Sequence, residues 1–553
     1  MANEPKIDGA KQSVDQDQIS RRDFITATGG LLPLSIASVS QAGTRSIGKT
    51  LESSLDYPFD SMRDWVAALE AHGLLLRMGD VDQDQYHATG LFYNLTDKFT
   101  WSGSPAMLFD RVKIDGEWIN GPLLANLQGH LNTDSIIWNL ETSPTDHEGN
   151  YRRARNLMKK IFSANDDAWP TISPAEVEFE KAPVKEVVLR GDEIDLTRFA
   201  FIQTNPADGG RYINSGSMFT EDPEKGKNFG TYRCQLKGPR KIALNPETGQ
   251  TGYKMIAAAR DRGEKSYPVA VVLGQDPVTF MVSSTKVAGF VHKGRLPDEL
   301  AIAGGLRGKA IDVVKCETND MLVPAHAEMI IEGEVLFDEP LEPEGPFGEM
   351  YGYLGPKDEA KLWMKVNAVT HRKNPWILNM FTGMERGFVE APFNTFIEHG
   401  LKQQFPYITE YYQPHDTSGI TYISINKTEA GQGLALGKAV TSFDPVAKIT
   451  VVLDDDVNLL NQDDVLRAIV ARWQPYPAAH IRKKSFGIIT DPSQRVKRQT
   501  SKIAIDATRQ FPEEGGPEVF AGNNRDLLNQ LKPNAINDSA VIYSSLLKDW
   551  KEV

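Results

Sequence analysis

The sequence predicts an α+β fold built from mixed α/β layers, and three observations support this. Short apolar runs bounded by Gly, Asp or Pro recur along the chain and predict strands. Segments with apolar residues every three or four positions lie between some of these runs and predict helices. The two kinds of segment do not alternate strictly, and no long internal repeat or low-complexity tract is present. This order of predicted strands and helices therefore favours mixed layers over a solenoid.

The composition is that of a globular protein with room for several domains. The chain has 553 residues, of which 40% are hydrophobic and 24% charged, and its net charge is -13. An acidic surface repels phosphate backbones, so nucleic acid is excluded as a partner. Cys234 and Cys316 form no CxxC pair, which excludes a disulfide framework and a zinc ribbon. Cys234 is expected to be a packed core thiol.

The N-terminal 42 residues have the order of a twin-arginine export signal. The motif SRRDFI, with Arg21 and Arg22, precedes an uncharged stretch that runs to Thr44. That stretch is too rich in Gly, Ser and Thr for a permanent transmembrane helix. Residues 40–42 fit the small-x-small pattern of a cleavage site. We expect a periplasmic protein after export, or a cytoplasmic one if the signal does not function.

The remaining chain begins with a helix. Residues 61–72 carry apolar side chains on one face, Ser61 and Asp64 are spaced as a capping box, and Gly73 follows. Proline-rich and charged segments near residues 170–183 and 372–375 predict linkers, which divide the chain into domains at 43–175, 176–375 and 376–553. Further strands are predicted at 186–189, 269–273, 329–331 and 449–453, and a further helix at 254–262.

Two motifs that imitate known sites fail on spacing. GQGLALGK at 431–438 has five residues between its first and last Gly, and Ala439 follows the Lys, so it predicts a tight turn into a helix and not a Walker A loop. The run from Asp454 has Leu459 and Val465 where a calcium loop needs Gly and Glu, which predicts solvated acids. Zinc hydrolase and serine esterase motifs, HExxH and GxSxG, are absent from the sequence.

A pair of carboxylates provides the first sign of chemistry. Glu344 and Glu349 flank a loop with two glycines and one proline. When such a loop brings two acids to one site, repulsion and desolvation separate their pKa values, and one acid can stay protonated as a general acid. Taken alone, the segment EGPFGE fits an exposed hairpin turn better.

Four motifs taken together change that interpretation. They are EGPFGEMYGYLGP, NFGTYRCQLKGPR at 228–240, the segment 313–335 and SKIAIDATRQFP at 501–512. With these motifs in order, the chain resembles the UbiD family of reversible decarboxylases from about Ser61 to its C-terminus. The resemblance implies an N-terminal α/β region, a central split β-barrel that binds prenylated FMN, and a C-terminal α/β domain for oligomerisation and closure over the substrate.

The resemblance also implies a catalytic set of Arg233, Glu344 and Glu349. In this reading Glu349 is the proton donor, Arg233 holds the substrate carboxylate, and Glu344 orients Arg233. A planar guanidinium suits the first task because it binds a carboxylate through two hydrogen bonds. The expected reaction is a reversible, non-oxidative decarboxylation of an aromatic, heteroaromatic or α,β-unsaturated acid, with prenylated FMN as covalent electron sink.

In the family, a divalent ion, Mn2+ or in its place Mg2+, holds the cofactor phosphate beside a K+ ion. Asn228 and Glu299 match two of its ligands, and oxygen ligands suit a hard cation. The family's histidine ligand is missing, because ungapped counting reaches Thr251 at its position. An oxygen of this loop or a water would replace the histidine, or the metal site is altered. Lys502 matches a lysine that contacts the phosphate. The other residues expected at the cofactor are Thr231, Tyr232, Arg233, Ser283 and Ser284.

The family resemblance also implies partners for this chain. A flavin prenyltransferase would supply the cofactor, a small carboxylic acid is the substrate, and family members form homodimers or homohexamers. Residues 386–411 are expected to line the substrate pocket. Two alternatives stay open: an FMN-dependent redox flavoprotein and a periplasmic aromatic-acid-binding protein. The first would not need both Glu344 and Glu349, and the second would not need Lys502 or the pair Asn228 and Glu299.

Overall fold

The computed structural model describes residues 57–285, 287, 297–350, 352–414, 417, 419–488 and 490–517. The predicted export signal at 1–42 lies outside these residues. Within them, no helix combines the length and the apolar character needed to cross a bilayer.

Helices occur in all three parts of the described chain. They are α1 (Met62–Ala71), α2 (His87–Phe99), α3 (Thr133–Ile136), α4 (His147–Ala164), α5 (Thr251–Asp261), α6 (Pro277–Ser284), α7 (Glu299–Arg307), α8 (Ala391–Lys402), α9 (Gln432–Phe443) and α10 (Gln462–Arg472). Short 3-10 helices span Gln83–Gln85, Phe179–Lys181, Pro183–Lys185, Gly191–Glu193, Leu196–Arg198 and Pro512–Glu514.

The strands of the described residues form three larger sheets, one three-stranded sheet and two short pairs. The first are β1 (Leu75–Met78), β2 (Val81–Asp82), β3 (Ala106–Ile114), β4 (Glu117–Ala125) and β5 (Ala175–Glu176). The middle strands are β6 (Val187–Arg190), β7 (Tyr212–Ile213), β8 (Ser217–Asp222), β9 (Gly226–Thr231), β10 (Cys234–Gly238), β11 (Lys241–Leu244), β12 (Ser266–Leu273), β13 (Asp312–Lys315), β14 (Leu322–Pro324), β15 (Met329–Leu336), β16 (Glu342–Glu344), β17 (Phe347–Gly348), β18 (Leu354–Gly355), β19 (Asp358–Lys361) and β20 (Trp363–His371). The last are β21 (Ile377–Leu378), β22 (Ile408–Tyr412), β23 (Ile420–Ile425), β24 (Ile449–Asp454), β25 (Ala479–Phe486) and β26 (Gln499–Asp506).

Helix α1 begins where its cap predicts. The backbone N–H of Asp64 donates to Ser61 Oγ at 3.2 Å, and the N–H of Ser61 donates to Asp64 Oδ2 at 2.9 Å, which satisfies two amides that the first turn leaves free. The helix buries Trp65 and Leu69 on its apolar face. Gly73, at a φ of 70°, follows the helix end. The capping box and the helix are confirmed.

The N-terminal sheet has the strand order β1-β3-β4-β21, with β2 paired to β3. Strand β21 runs parallel to β4, with Ile377 opposite Leu123. Because β21 comes from a segment that follows the central strands in sequence, the chain returns here to the first sheet. This return places the residues after 378 next to the central sheet, where they contact the site described below. The predicted domain limits at 175 and 375 stay a prediction.

The central sheet is antiparallel, with the order β7-β10-β11-β20-β15-β12-β8-β9 and β6 added on β20. The strands predicted at 269–273 and 329–331 lie within β12 and β15, which pair with Val271 opposite Ile331. Their apolar residues are fully buried, as continuous apolar runs predict. With helices and sheets in one packed unit, the predicted α+β class is confirmed.

The C-terminal sheet has the order β22-β23-β24-β26-β25, and α9 packs on it. Gly431 caps α9 with a φ of 81°, so the predicted tight turn into a helix is confirmed. Asp454 was predicted as one of several solvated acids. In the structure it is buried at the end of β24 and accepts a hydrogen bond from Arg472 Nη1 at 2.6 Å. The prediction of solvated acids here was wrong, since the pairing arginine lies 18 residues away on α10.

Candidate active site

Arg233 lies in the two-residue link between β9 and β10 and contacts both acids of the predicted set. Its Nε donates to Glu344 Oε1 at 2.9 Å and its Nη2 donates to Glu344 Oε2 at 3.0 Å, a bidentate pair. Its Nη1 donates to Glu349 Oε1. The fold therefore brings together three residues that are separated by up to 116 positions in the sequence.

Burial gives the three groups different properties. Glu344 is fully buried, and the side chains of Arg233 and Glu349 are 14% and 12% exposed. Desolvation raises the pKa of Glu349, the Arg233 charge opposes this, and the Glu344 charge adds to it. The two carboxylates also raise the pKa of Arg233, against the effect of its burial. Arg233 is thus a fixed cation, and Glu349 is an acid that retains its proton more readily than a solvated carboxyl.

The loop that carries Glu349 is held by residues that sequence patterns did not reveal. Asp208 accepts hydrogen bonds from the N–H groups of Gly348 at 2.7 Å and Asn205 at 2.9 Å. The hydroxyl of Tyr212 donates to the carbonyl of Pro346 at 3.2 Å, and its ring lies 4.6 Å from that of Phe347. These contacts fix the backbone on the N-terminal side of Glu349. No local spacing could have indicated them, because Asp208 lies 140 residues from Gly348.

Phe347 and Gly345 shape the loop further. The Phe347 ring lies 4.8 Å from the Arg233 guanidinium carbon and covers one face of the cation. Gly345 has a φ of 89°, a conformation in which a residue with a Cβ would be strained. Its N–H donates to Gln235 Oε1 at 3.2 Å. The prediction of a loop shaped by glycine and proline is confirmed, but the acids in it are buried and not exposed.

We expect Asp208→Asn to loosen this loop. Its amide offers one acceptor oxygen in place of two, so one of two buried N–H groups loses its partner, which costs about 1–3 kcal/mol of unfolding free energy. A small displacement of Glu349 lowers kcat by about 10- to 100-fold. Urea unfolding and turnover measure both effects. Asp192→Asn, at an exposed acid, is the control, and equal behaviour of the two variants would contradict this role for Asp208.

A cluster of hydroxyl groups lies next to Arg233. Thr231 Oγ1 is 2.9 Å from Ser283 Oγ and 3.0 Å from Ser284 Oγ, and Ser217 Oγ donates to Ser283 Oγ at 2.9 Å. Thr231 and Ser284, both predicted at the cofactor, are therefore brought together at the C-terminal end of α6. Rotatable hydroxyls of this kind can donate to a ligand or to each other.

Asn228 and Glu299 line one small cavity. Glu299 is the first residue of α7, and its Oε2 accepts the N–H of Phe229 at 2.9 Å. Burial raises the pKa of Glu299 to about 8. A buried carboxyl is stabilised by a cation or a proton, and an amide oxygen beside it is a ligand that hard cations prefer. These two residues fit the predicted metal site.

The third ligand position remains open. In the described part of the chain, no group of three His, Cys, Asp or Glu residues is arranged to hold a metal ion. Thr251 begins α5, and a Cβ on the next residue, Gly252, would come within 3.4 Å of the phenol oxygen of Tyr232. Burial raises the pKa of Tyr232 to about 12, and Gly252 and Asn228 are neighbours that oppose this rise. Tyr232, predicted at the cofactor, thus joins Asn228 at the start of α5.

Lys502 and Cys234 have surroundings of a different kind. Lys502 is buried in β26, donates to the carbonyl oxygen of Asp444, and has its pKa lowered by desolvation. Among the contacts of the described residues, it makes none with Asn228, Thr231 or Arg233, so its role at a phosphate stays a prediction. Cys234 is fully buried, and desolvation raises the pKa of its thiol to about 12, as expected for a packed core thiol.

Two family models match the chain. The model of the 3-octaprenyl-4-hydroxybenzoate carboxy-lyase Rift-related domain matches residues 175–385. The model of the C-terminal domain of the same carboxy-lyase matches residues 388–507. Together the two matches span more than half of the sequence and include every predicted site residue.

Individual proteins match over most of the chain. An uncharacterized protein of Synechocystis sp. is 28% identical over 480 residues, which are 82% of this chain and 90% of the relative. The UbiD-class enzyme HmfF from Pelotomaculum thermopropionicum, solved with FMN, has a TM-score of 0.70 and 25% identity, with 85% of this chain and 100% of that chain covered. An evolved dimeric form of HmfF was solved with prFMN, the prenylated flavin. The vanillic acid decarboxylase of Sedimentibacter hydroxybenzoicus shares the fold, with a TM-score of 0.71, 23% identity and coverages of 89% and 99%.

Proposed function

Because the chain belongs to the UbiD family of carboxy-lyases, we propose that it decarboxylates an aromatic, heteroaromatic or α,β-unsaturated carboxylic acid without oxidation, and reversibly. The observation that carries this proposal is the position of Arg233 between two carboxyls. Glu344 binds the guanidinium through two hydrogen bonds, and Glu349 binds it through one. A cation fixed by one acid and a second acid able to hold a proton are what such a reaction requires of the protein.

In this proposal Arg233 binds the substrate carboxylate through the side of the guanidinium that faces Glu349. Glu344 occupies Nε and Nη2, so Nη1 is the position at which a substrate carboxylate competes with Glu349. When the substrate takes this bond, Glu349 loses the cation that lowers its pKa, while its burial and the Glu344 charge continue to raise it. Binding of the substrate therefore favours the protonated form of Glu349.

The protonated Glu349 then delivers its proton to the carbon that loses CO2. Arg233 keeps its charge and orientation through Glu344, and the low exposure of all three side chains limits water at the reacting carbon. Prenylated FMN, which we propose as the cofactor, supplies the electron sink for this step when bound. In the carboxylation direction, Glu349 takes up the proton as the base.

We propose that the flavin phosphate is held by Mn2+ or Mg2+ on Asn228 and Glu299, with a K+ ion nearby. The hydroxyls of Thr231 and Ser284, the phenol of Tyr232 and the ammonium of Lys502 would complete the binding site. The support for the metal is the buried carboxyl of Glu299, for which the described residues supply the backbone N–H of Phe229 as partner. A divalent ion at this position would bridge the protein to the phosphate and neutralise part of its charge.

Glu299→Gln tests the metal site directly. We expect the metal content and the bound flavin of the purified holoenzyme to fall at least about tenfold, because the variant loses the one anionic ligand of the pair. Elemental analysis and flavin absorbance measure this independently of activity. Asp298→Asn is the matched control, since asparagine retains the cap on the N–H of Ala301. Equal metal contents in the two variants would refute Glu299 as a ligand.

The function is tested on protein produced together with a flavin prenyltransferase. Mass spectrometry and absorbance above about 300 nm identify the cofactor, and CO2 release is measured with hydroxybenzoic, cinnamic and heteroaromatic acids. We expect prenylated FMN and CO2 release from one of these classes. Plain FMN with redox turnover would favour a redox flavoprotein, and acids bound unchanged without flavin would favour an acid-binding protein.

For location and assembly we propose twin-arginine export of the folded holoenzyme and self-association into a dimer or hexamer. Export of a folded chain agrees with a cofactor that is made in the cytoplasm. Cell fractionation and the mass of the purified protein in solution test these two proposals, and a cytoplasmic monomer would contradict both.

A further inference from the structure

A strip of basic and apolar side chains lies at the free edge of the C-terminal sheet. Strand β25 ends the strand order of this sheet, and among the described residues β26 is its pairing partner. The edge strip consists of β25 and the loop that follows it, residues 479–488 and 490–498. Its side chains Ile481, Phe486 and Val496 are 61%, 60% and 59% exposed. The proposed mechanism assigns no task to these side chains.

A β-bulge places the apolar side chains of β25 on one face. On a regular strand, side chains an odd number of positions apart point to opposite faces. The register of β25 against β26 shifts by one residue between Ile481 and Phe486, which brings both side chains to the same face. Phe486 pairs with Gln499, and Val496 forms a β-bridge with the same residue. Val496 therefore lies close to Phe486 and extends the edge strip beyond β25.

The exposed charges of the edge strip are all positive. Its exposed cations are Lys483, Lys484, Arg495 and Lys497. None of these cations forms an ion pair with a described residue. The strip contains one acid, Asp491, which is 5% exposed and pairs with Lys448 at 2.9 Å. The whole chain has a net charge of -13, but at physiological salt exposed charges beyond about 10 Å are largely screened. An anionic partner therefore meets a positive surface at this edge.

Protection of the sheet edge explains only the lysines. A lysine on an edge strand hinders pairing with another chain. Apolar side chains that are more than half exposed have the opposite effect, because they favour association. A second copy of the chain is a poor partner, since a two-fold contact brings Lys483 and Lys484 of one copy against the same positive strip of the other. The partner that fits carries negative charge and accepts separate apolar side chains.

We propose that the edge strip binds the protein peripherally to an anionic phospholipid surface. The exposed cations contact the phosphate groups of the lipids, and Ile481, Phe486 and Val496 enter the boundary between headgroups and acyl chains. A fluid lipid surface accepts side chains spread along a strand, whereas a protein partner needs a complementary surface for each of them. The proposal goes beyond the reaction and does not depend on it, because the strip contains none of the residues assigned to the active site.

Vesicle flotation of the purified full chain tests this proposal. One vesicle population contains phosphatidylcholine alone, and the other contains equal parts of phosphatidylcholine and phosphatidylglycerol. We expect at least about tenfold stronger binding to the anionic vesicles, and its loss in about 1 M salt, where the screening length falls to about 3 Å. Lys483→Glu combined with Lys484→Glu is expected to weaken binding at least about tenfold, and Phe486→Ser about threefold or more.

The matched controls carry the same changes elsewhere on the surface. Lys160→Glu combined with Lys181→Glu changes the net charge by the same amount at two exposed lysines outside the strip. Phe99→Ser removes a phenylalanine that is 44% exposed at the end of α2. Both controls are expected to bind the anionic vesicles like the wild type. Because all these variants alter exposed side chains, their Tm values are expected to stay close to that of the wild type.

Several results would overturn the proposal. They are equal binding of the wild type to both kinds of vesicle, unchanged binding of the charge-reversed variant, and equal loss of binding in that variant and its control. If a second copy covers the edge strip, the wild type stays off the vesicles and the charge-reversed variant changes the mass of the protein in solution, which also contradicts lipid binding. None of these readouts requires CO2 release, so the proposed function stands or fails separately.

Discussion

Glu349→Gln is expected to lower kcat for CO2 release by about 1000-fold, because the amide cannot deliver a proton to the reacting carbon. Substrate binding should change little, since Arg233 retains its pairing with Glu344. The measurement is CO2 release under saturating acid, together with Kd from dialysis. Glu359→Gln, at an exposed acid on β19, is the control and should behave like the wild type.

The pH dependence gives an independent readout of the same residue. Burial raises the pKa of Glu349, so the acid remains protonated over a wider pH range than a solvated carboxyl. Activity that requires the proton is present below this raised pKa and falls as the pH rises through it. We expect this alkaline limb in the kcat profile of the wild type. An unchanged kcat in Glu349→Gln, or the same limb in that variant, would contradict the assignment of the proton donor.

Arg233→Ala is expected to lower the unfolding free energy by about 3–5 kcal/mol, because it leaves Glu344 buried without a compensating charge. The same change removes the binding site of the substrate carboxylate, so CO2 release should be lost together with acid binding. Urea denaturation measures the first effect and equilibrium dialysis the second. Arg233 is thus expected to serve stability through its two hydrogen bonds to Glu344 and substrate binding through Nη1.

Two companion variants make the result interpretable. Arg240→Ala removes an exposed arginine paired with Asp192 and is expected to change stability by less than about 0.5 kcal/mol. Arg233→Lys keeps the charge but cannot reproduce the bidentate geometry, so it should retain more stability than acid binding. Wild-type stability in Arg233→Ala would show that Glu344 does not depend on this cation.

Sequence patterns predicted the helices and strands that depend on residues close together in the chain. The capping box of Ser61 and Asp64 located the start of α1, and continuous apolar runs located β12 and β24. Helix α5 begins at Thr251, three residues earlier than its apolar periodicity predicted, because its first turn contains Thr and Gly in place of apolar residues. The set of Arg233 and its two acids came from motif resemblance, and the structure brings the three side chains into contact.

The residues whose roles the sequence did not indicate have one property in common, because each acts through long-range contacts. Asp208 acts on a loop 140 residues away, and Tyr212 contacts the same loop at Pro346, 134 residues away. Neither contact leaves a spacing or a composition that a single sequence can reveal. Similarly, Asp454 could be predicted as an acid at a strand end, but its burial against Arg472 depends on where α10 packs. Long-range packing, and not local propensity, decides the environment of these groups.

The most direct test of the central claim is anaerobic CO2 release by the same purified chain carrying either prenylated FMN or plain FMN. The proposed chemistry predicts CO2 release without any oxidant from the chain with prenylated FMN, and none from the chain with plain FMN. CO2 release that requires oxygen, or that is equal with the two flavins, would contradict a non-oxidative decarboxylase dependent on prenylated FMN.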